Sequence, residues 1–369
     1  MGSKSKSHCL DSDTVMTGNA YMSAGMFSAG VLANCIALVL LEMRRRRQNP
    51  SLFHVLVTAL VITDILASFS LSPLVLASYT QNITLMGMNR NGSICIYFGF
   101  GMNFFSLVTL AILCAMALER YLSFGHPYFY EQRMRKQCGY IAIPLIYLVC
   151  MFFCLAPFMG FGAYVQYCPG TWCFFDMNPE YTKDKVYVVV YASLTLIMIS
   201  TTVVCNLSVV YHLILMYRRR KEQRGGVTRR TRSYRRSLSM AEEVEHLLLL
   251  LFITVSFVIC SFPLVIVVFL NTLSSTQEPS RDLMTLRLLS FNSIIDPWVF
   301  IIFSPSVLRF LWRKLTVCKA KRTPEATTFP QEKSMPEWSK LPSPIVIKLR
   351  NNKVQCDDRI CTHMETGSQ

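Results

Sequence analysis

Charge is scarce in this sequence. Only 16% of its 369 residues are Asp, Glu, Lys or Arg, whereas a soluble chain of that length carries about 25% and divides into two or three domains. With 52% apolar residues and a mean hydropathy of +0.36, the shortage argues against one large aqueous core and for burial in lipid. Acids are scarcer than bases, 22 against 37, which leaves a formal charge of +15. In an apolar chain, anionic membrane lipid is a simpler partner for that charge than nucleic acid, and no nucleic-acid partner is expected. Hydrolase, redox and phosphate-binding motifs are absent, so no enzyme is expected either. The polar stretch from Met1 to Thr17 lacks the apolar centre of a cleavable signal. Lys6 stands where a myristoylation pattern wants Ser or Thr. The first membrane helix is therefore expected to act as its own insertion signal.

Long apolar runs, by contrast, are plentiful. They lie near Tyr21–Leu41, Leu52–Tyr79, Ile94–Leu122, Gly139–Phe161, Val186–Tyr217, His246–Leu270 and Leu283–Phe303. Each is close to or above the ~20 residues needed to cross a bilayer as a helix. Backbone groups in lipid must bond within their own segment, which favours helices over open strands. Pro73, Pro144, Pro157 and Pro263 fall inside the runs, as kinks that neighbouring helices can accommodate. The expected fold is an all-α membrane protein, a seven-transmembrane helix bundle. Residues 1–20 precede the bundle, 21–303 form it, and 304–369 follow as a short amphipathic helix (Ser306–Leu315) and a disordered tail.

Lys and Arg set the direction. Arg44 to Arg47, then Arg133, Arg135 and Lys136, then the run from Arg218 to Arg236 place seventeen basic residues in alternate loops, against six in the others. Positive loops stay inside, so the N-terminus is expected outside and the tail inside, in a multi-pass protein of the plasma membrane. The sequons at Asn82 and Asn91 fall in the first outer loop, where glycosylation can reach them. That at Asn206 lies within a span and should stay unmodified.

Several clusters then stand out. Glu119-Arg120-Tyr121 closes the third span, with Cys95 twenty-five residues before Arg120. Asp64 is a lone acid within the second span, Asn34 lies in the first, and Asp296-Pro297-Trp298-Val299-Phe300 ends the seventh. Intramembrane ionisable groups are functional candidates by default. Together these resemble the motifs of rhodopsin-like G-protein-coupled receptors. The resemblance implies that Glu119, Arg120 and Tyr121 couple to a G protein and that Cys95 is bridged to Cys173. It also implies that Asp64, Thr109, Asn292 and Asp296 line a polar cavity holding an allosteric sodium ion; a satisfied hydrogen-bond network without an ion is the alternative. No other cofactor or metal is expected.

The pattern has gaps. Ser261 in Cys260-Ser261-Phe262-Pro263 stands where that family usually carries a tryptophan, and Phe300 where it carries a tyrosine. The fourth span lacks its tryptophan and the fifth its proline. A subfamily is indicated by Gln166-Tyr167-Cys168-Pro169-Gly170-Thr171-Trp172-Cys173-Phe174, which resembles the signature loop of prostanoid receptors. Leu286-Arg287-Leu288-Leu289-Ser290 and Gly125-His126-Pro127 extend the likeness. The stretches from Ser51 and from Ser239 most resemble the subtype-two branch of the prostaglandin E2 receptors. The prostaglandin D2 and prostacyclin receptors are alternatives.

The resemblance implies a prostaglandin E2 site. Arg287 lies ~15 Å outward from Pro297 along the helix and would bind the ligand carboxylate through its flat fork. On periodicity alone, snorkelling to the interface fits Arg287 as well. Thr171 and Tyr79 would add hydroxyls, and Met26, Met102, Phe105, Trp172 and Ser290 would line the rest. Met102 replaces the aspartate of amine receptors, and Ser290 the retinal lysine of opsins. The implied partners are the stimulatory G protein, with a rise in cyclic AMP, and receptor kinases and arrestin. Ser237 and Ser239 are phosphorylation candidates, against a basic loop that only sets topology. Cys318 is a lipidation candidate. Cys168 is left over, with Cys9 as the outer cysteine it could pair with. A seven-helix transporter or channel is the alternative of a different class; it would predict internal repeats or rings of charge, which the sequence lacks.

Overall fold

The computed structural model describes residues 14–15, 20–47, 51–133, 136–223, 230–274 and 279–302, without the side chains of Met22, Arg44, Arg47, Lys136, residues 220–246, Ser274 and Pro279. Seven of the helices are long and apolar enough to cross a membrane. The spans are, in order, Ala20–Arg47, Leu52–Gln81, Ser93–Gly125, Lys136–Cys154, Thr182–Gln223, Arg230–Ser274 and Pro279–Ile302. A short helix, Pro127–Arg133, follows the third span. An antiparallel hairpin, β1 (Tyr164–Tyr167) and β2 (Trp172–Phe175), joins the fourth to the fifth. The expected amphipathic helix, Cys318 and Cys9 lie outside the described residues.

Three boundaries differ most from the apolar runs. The fourth span stops at Cys154, and Pro157 sits in a separate 3-10 turn, Ala156–Met159, rather than inside the helix. Proline lacks the N–H that continuing the helix would need and crowds the preceding turn. The fifth and sixth helices instead run past their apolar segments, to Gln223 and back to Arg230, through much of the basic loop between them. Arg, Lys, Glu and Gln are good helix formers, so leaving the apolar zone does not end the helix. Other ends are set by local chemistry. Ser51 caps the second span by accepting from the His54 amide at 3.3 Å, and Asn82 ends it in the left-handed conformation at φ 54°.

The third span is central. Leu107, Val108, Leu110, Ile112, Leu113 and Met116 are almost fully buried, packed among the second, fourth and fifth spans and the hairpin. Exposed Phe69, Leu148, Val204, Leu207 and Ile259 face outward, as side chains bordering lipid do. Since lipid is as apolar as leucine, association between spans relies on close packing and polar bonds. Asparagines supply several such bonds. Asn34 Nδ2 donates to Ser293 O at 3.1 Å, tying the first span to the seventh. Nearby, a Cβ on Gly30 would sit 3.3 Å from Ile294. Asn103 Nδ2 donates to Tyr187 Oη at 2.8 Å, and Asn206 Nδ2 to Thr254 Oγ1 at 2.7 Å. Tyr147 of the fourth span shares a hydrogen bond with Thr63 of the second.

Candidate functional site

The hairpin closes one end of the bundle. Cys173 in β2 is bridged to Cys95 at the start of the third span. The pairing sets Gln166 opposite Cys173 and Tyr167 opposite Trp172. Gly170 makes the turn at φ 102°, where a side chain would be strained. The Leu85 amide donates to Gly170 O at 2.9 Å, and the Met86 amide to Gln166 Oε1 at 3.0 Å, seating the hairpin on the loop after the second span. Burial pushes the Tyr167 phenol well above its usual range and raises the Asp176 carboxyl, the latter opposed by a bond from the Asn178 amide. Cys168 is also in a disulfide, whose partner lies outside the described residues.

Beneath the hairpin lies a cavity of about 430 Å³. Met26, Tyr79, Met102, Phe105, Trp172, Arg287 and Ser290 all line it. Seven of the eight residues expected at a ligand site thus surround one space. Arg287 is exposed to that space, and among the described residues it has no hydrogen bond or carboxylate partner. Thr171, the eighth, is fully buried behind the wall, and its hydroxyl donates to Tyr79 Oη at 3.2 Å. Phe98 meets Trp172 edge-on at 6.0 Å. Ser290 Oγ donates to Leu286 O at 3.0 Å and lies 3.8 Å from the Met102 sulfur.

The sequence reading omitted Ser23, Ser68 and Ser72, which also line the cavity. Among the described residues none of the three makes a side-chain hydrogen bond, unlike Thr58, Ser106 and Thr202, which bond back to the carbonyl four residues earlier. A signal was available: Asp64, Ser68 and Ser72 repeat at four-residue spacing, which places them on one helix face.

The floor of the cavity reaches Asp64, Thr109 and Asn292. Asp296 is buried beside them, and the two carboxylates interact through charge. Asp64 Oδ2, both Asp296 oxygens, Asn34 Oδ1 and Asn292 Oδ1 accept no hydrogen bond. So many unpartnered oxygens, among them those of two acids 2% exposed, form a donor set suited to a hard cation. Asn292 Nδ2 donates to Ser261 Oγ at 3.3 Å, so the residue replacing the usual tryptophan is bonded directly to the cavity floor.

At the opposite end, Arg120 folds back on Glu119, Nε to Oε2 at 2.7 Å, with both side chains buried. Its guanidinium carbon sits 4.2 Å from the centre of the Phe53 ring. Tyr130 of the short helix donates to Glu119 Oε1 at 2.5 Å, a contact that spacing gave no means of foreseeing. Tyr121 packs against Val209, Leu213 and Leu247 of the fifth and sixth spans. Asn82 and Asn91 are exposed, whereas Asn206 is 2% exposed and engaged with Thr254. Ser237 and Ser239 lie on the sixth helix, with side chains outside the described residues.

Comparison with known proteins agrees with the geometry. Residues 33–300 match the model of the 7 transmembrane receptor (rhodopsin family). The human prostaglandin E2 receptor EP2 subtype is 47% identical over 325 residues, 83% of this chain and 88% of that protein. The human prostaglandin D2 receptor is 39% identical over 333 residues, 84% and 93% of the two chains. The crystal structure of squid rhodopsin superposes with a TM-score of 0.69 at 16% identity, covering 89% of this chain and 92% of that one, a likeness of fold. These relatives are receptors rather than enzymes, transporters or channels. The chain accordingly belongs to the rhodopsin family of seven-transmembrane receptors and, within it, to the prostanoid receptors.

Proposed function

We propose that this chain is a plasma-membrane receptor for prostaglandin E2 that activates the stimulatory G protein and raises cyclic AMP. One observation carries the ligand class: a guanidinium with no partner among the described residues faces a largely apolar cavity that Tyr79 also lines. An unpaired charge inside a membrane protein is costly and calls for an anion. A lipid carboxylic acid supplies that anion together with a body suited to Met26, Met102, Phe105 and Trp172. Identity of 47% to a prostaglandin E2 receptor, against 39% to a prostaglandin D2 receptor, supports the E2 choice.

In this reading the hairpin end, with Asn82 and Asn91, is extracellular, and Arg120 faces the cytosol. Ligand binding favours an arrangement in which Arg120 leaves Glu119 for the G protein, which in turn raises agonist affinity. Receptor kinases and arrestin would act on the cytosolic face, through Ser237 and Ser239, and Cys318 would carry a lipid. Asp64, Thr109, Asn292 and Asp296 would hold a sodium ion that favours the resting arrangement.

The test is cyclic AMP in cells expressing the chain, exposed to prostaglandins E2, D2 and I2. The expected result is the strongest response to E2. No response to any of the three would overturn the proposal, and a stronger response to D2 would move the chain to that sibling group.

A further inference from the structure

The residues that usually restrain and release the sixth span in this family are missing here: Ser261 replaces the tryptophan, and the buried Phe300 carries no hydroxyl. Some other contact must bear on that helix. Within its buried stretch from Leu247 to Val268, two side-chain hydrogen bonds join it to neighbours among the described residues. Ser261 meets Asn292 of the seventh span, and Thr254 meets Asn206 of the fifth. The two points lie two turns apart, ~10 Å, and pin the helix to different neighbours.

We propose that Asn206 and Thr254 form a latch holding the Arg120-side half of the sixth span against the fifth, and that opening this latch is part of activation. Both residues are buried, at 2% and 5% exposure, and the bond is 2.7 Å long. Thr201, Thr202 and Ser208, close by on the fifth span, bond to their own backbone carbonyls, whereas the Thr254 hydroxyl receives Asn206 across the interface. Asn206 Oδ1 accepts nothing. The orphaned oxygen offsets part of what the cross-interface bond contributes, so the bond holds the two spans together less firmly than a fully satisfied amide would. Toward Arg120, the same interface is closed among the described residues by a small cluster of Val209, Leu213 and Leu247, with Val210, Met216 and Leu251 packed against it. Pro263 lies nine residues beyond Thr254, ~13.5 Å up the helix, where a bend lets the lower half move. A bond that must break as those halves separate sets the resting population directly.

The experiment needs neither ligand nor G protein, so it stands apart from the proposed prostaglandin specificity. Purified receptor in lipid nanodiscs, with the exposed Cys35, the half-buried Cys114 and Cys138, and Cys318, Cys356 and Cys361 replaced by serine, carries spin labels at Tyr217→Cys and Leu248→Cys. The distance distribution between them is measured by pulsed electron resonance. Thr254→Val, which exchanges the hydroxyl for a methyl of similar size, should raise the longer-distance population roughly three- to tenfold, the weight of one membrane hydrogen bond. Thr254→Ser should match wild type. Asn206→Leu should act as Thr254→Val does, and the double variant should add nothing to either. Asn206→Leu alone also serves as the readout should Thr254→Val fail to fold. The latch is overturned if the valine and leucine distributions superimpose on wild type, if serine behaves as valine, or if the two substitutions add.

Discussion

In the proposed function Arg287 carries the recognition chemistry, and the residues around it grade its effect. Tyr79 reaches the same cavity, so Tyr79→Phe removes a donor to a charged group. Such bonds are worth about 1.5–3 kcal/mol, and affinity for the free acid should fall roughly ten- to hundredfold. Thr171 touches Tyr79 rather than the cavity. Thr171→Val should therefore cost only about 1 kcal/mol, roughly fivefold, by freeing the Tyr79 hydroxyl to turn. Competition binding on membranes, normalised to surface expression, separates the two. Equal losses would mean that Thr171 meets the ligand itself. The sequence could place Arg287 at a depth, because helical rise converts residue count into distance. It could not place Thr171 behind Tyr79, because that depends on how a hairpin lies over a bundle. Nor could it find Tyr130 on Glu119, a contact made by a loop helix folding back.

Among the elements, the hairpin depends most on its support. Gly99 of the third span lies so close to it that an added Cβ would be 2.8 Å from the Tyr164 ring. Tyr164 in turn donates to Cys154 O at 2.9 Å. Gly99→Val should therefore destabilise by about 1–3 kcal/mol, the usual range for overpacking, and should weaken ligand binding as the hairpin shifts. Gly25 in the first span meets nothing within 4 Å, so Gly25→Ala serves as a control with unchanged binding. Thermal unfolding of purified receptor reads both, and an unperturbed Gly99→Val would show that the hairpin is loosely seated. The spans were legible because bilayer thickness fixes a length and burial in lipid fixes a composition. Their ends were less so. Beyond the apolar zone helix propensity decides, which is why the fifth and sixth helices run on to Gln223 and from Arg230.

At the scale of the molecule, one cavity joins the hairpin end to the acid cluster, with Arg287 on its wall and Asp64 and Asn292 at its floor. From Asn292 a direct bond leads to Ser261, and so to the sixth span. The family, the disulfide and most of the residues that line the cavity could be read from local motifs. The continuity between the two sites could not, since it arises only where the second, third and seventh spans converge. In the proposed function this cavity reads a lipid carboxylate through Arg287. The most direct test of that reading compares prostaglandin E2 with its methyl ester, on wild type and on Arg287→Ala. Wild type should prefer the free acid by roughly thirtyfold or more, as losing one partner of a buried charge pair costs about 2–5 kcal/mol. In Arg287→Ala the preference should vanish, with surface expression intact. Equal affinity of acid and ester for the wild type, or a preference that survives in Arg287→Ala, would contradict it.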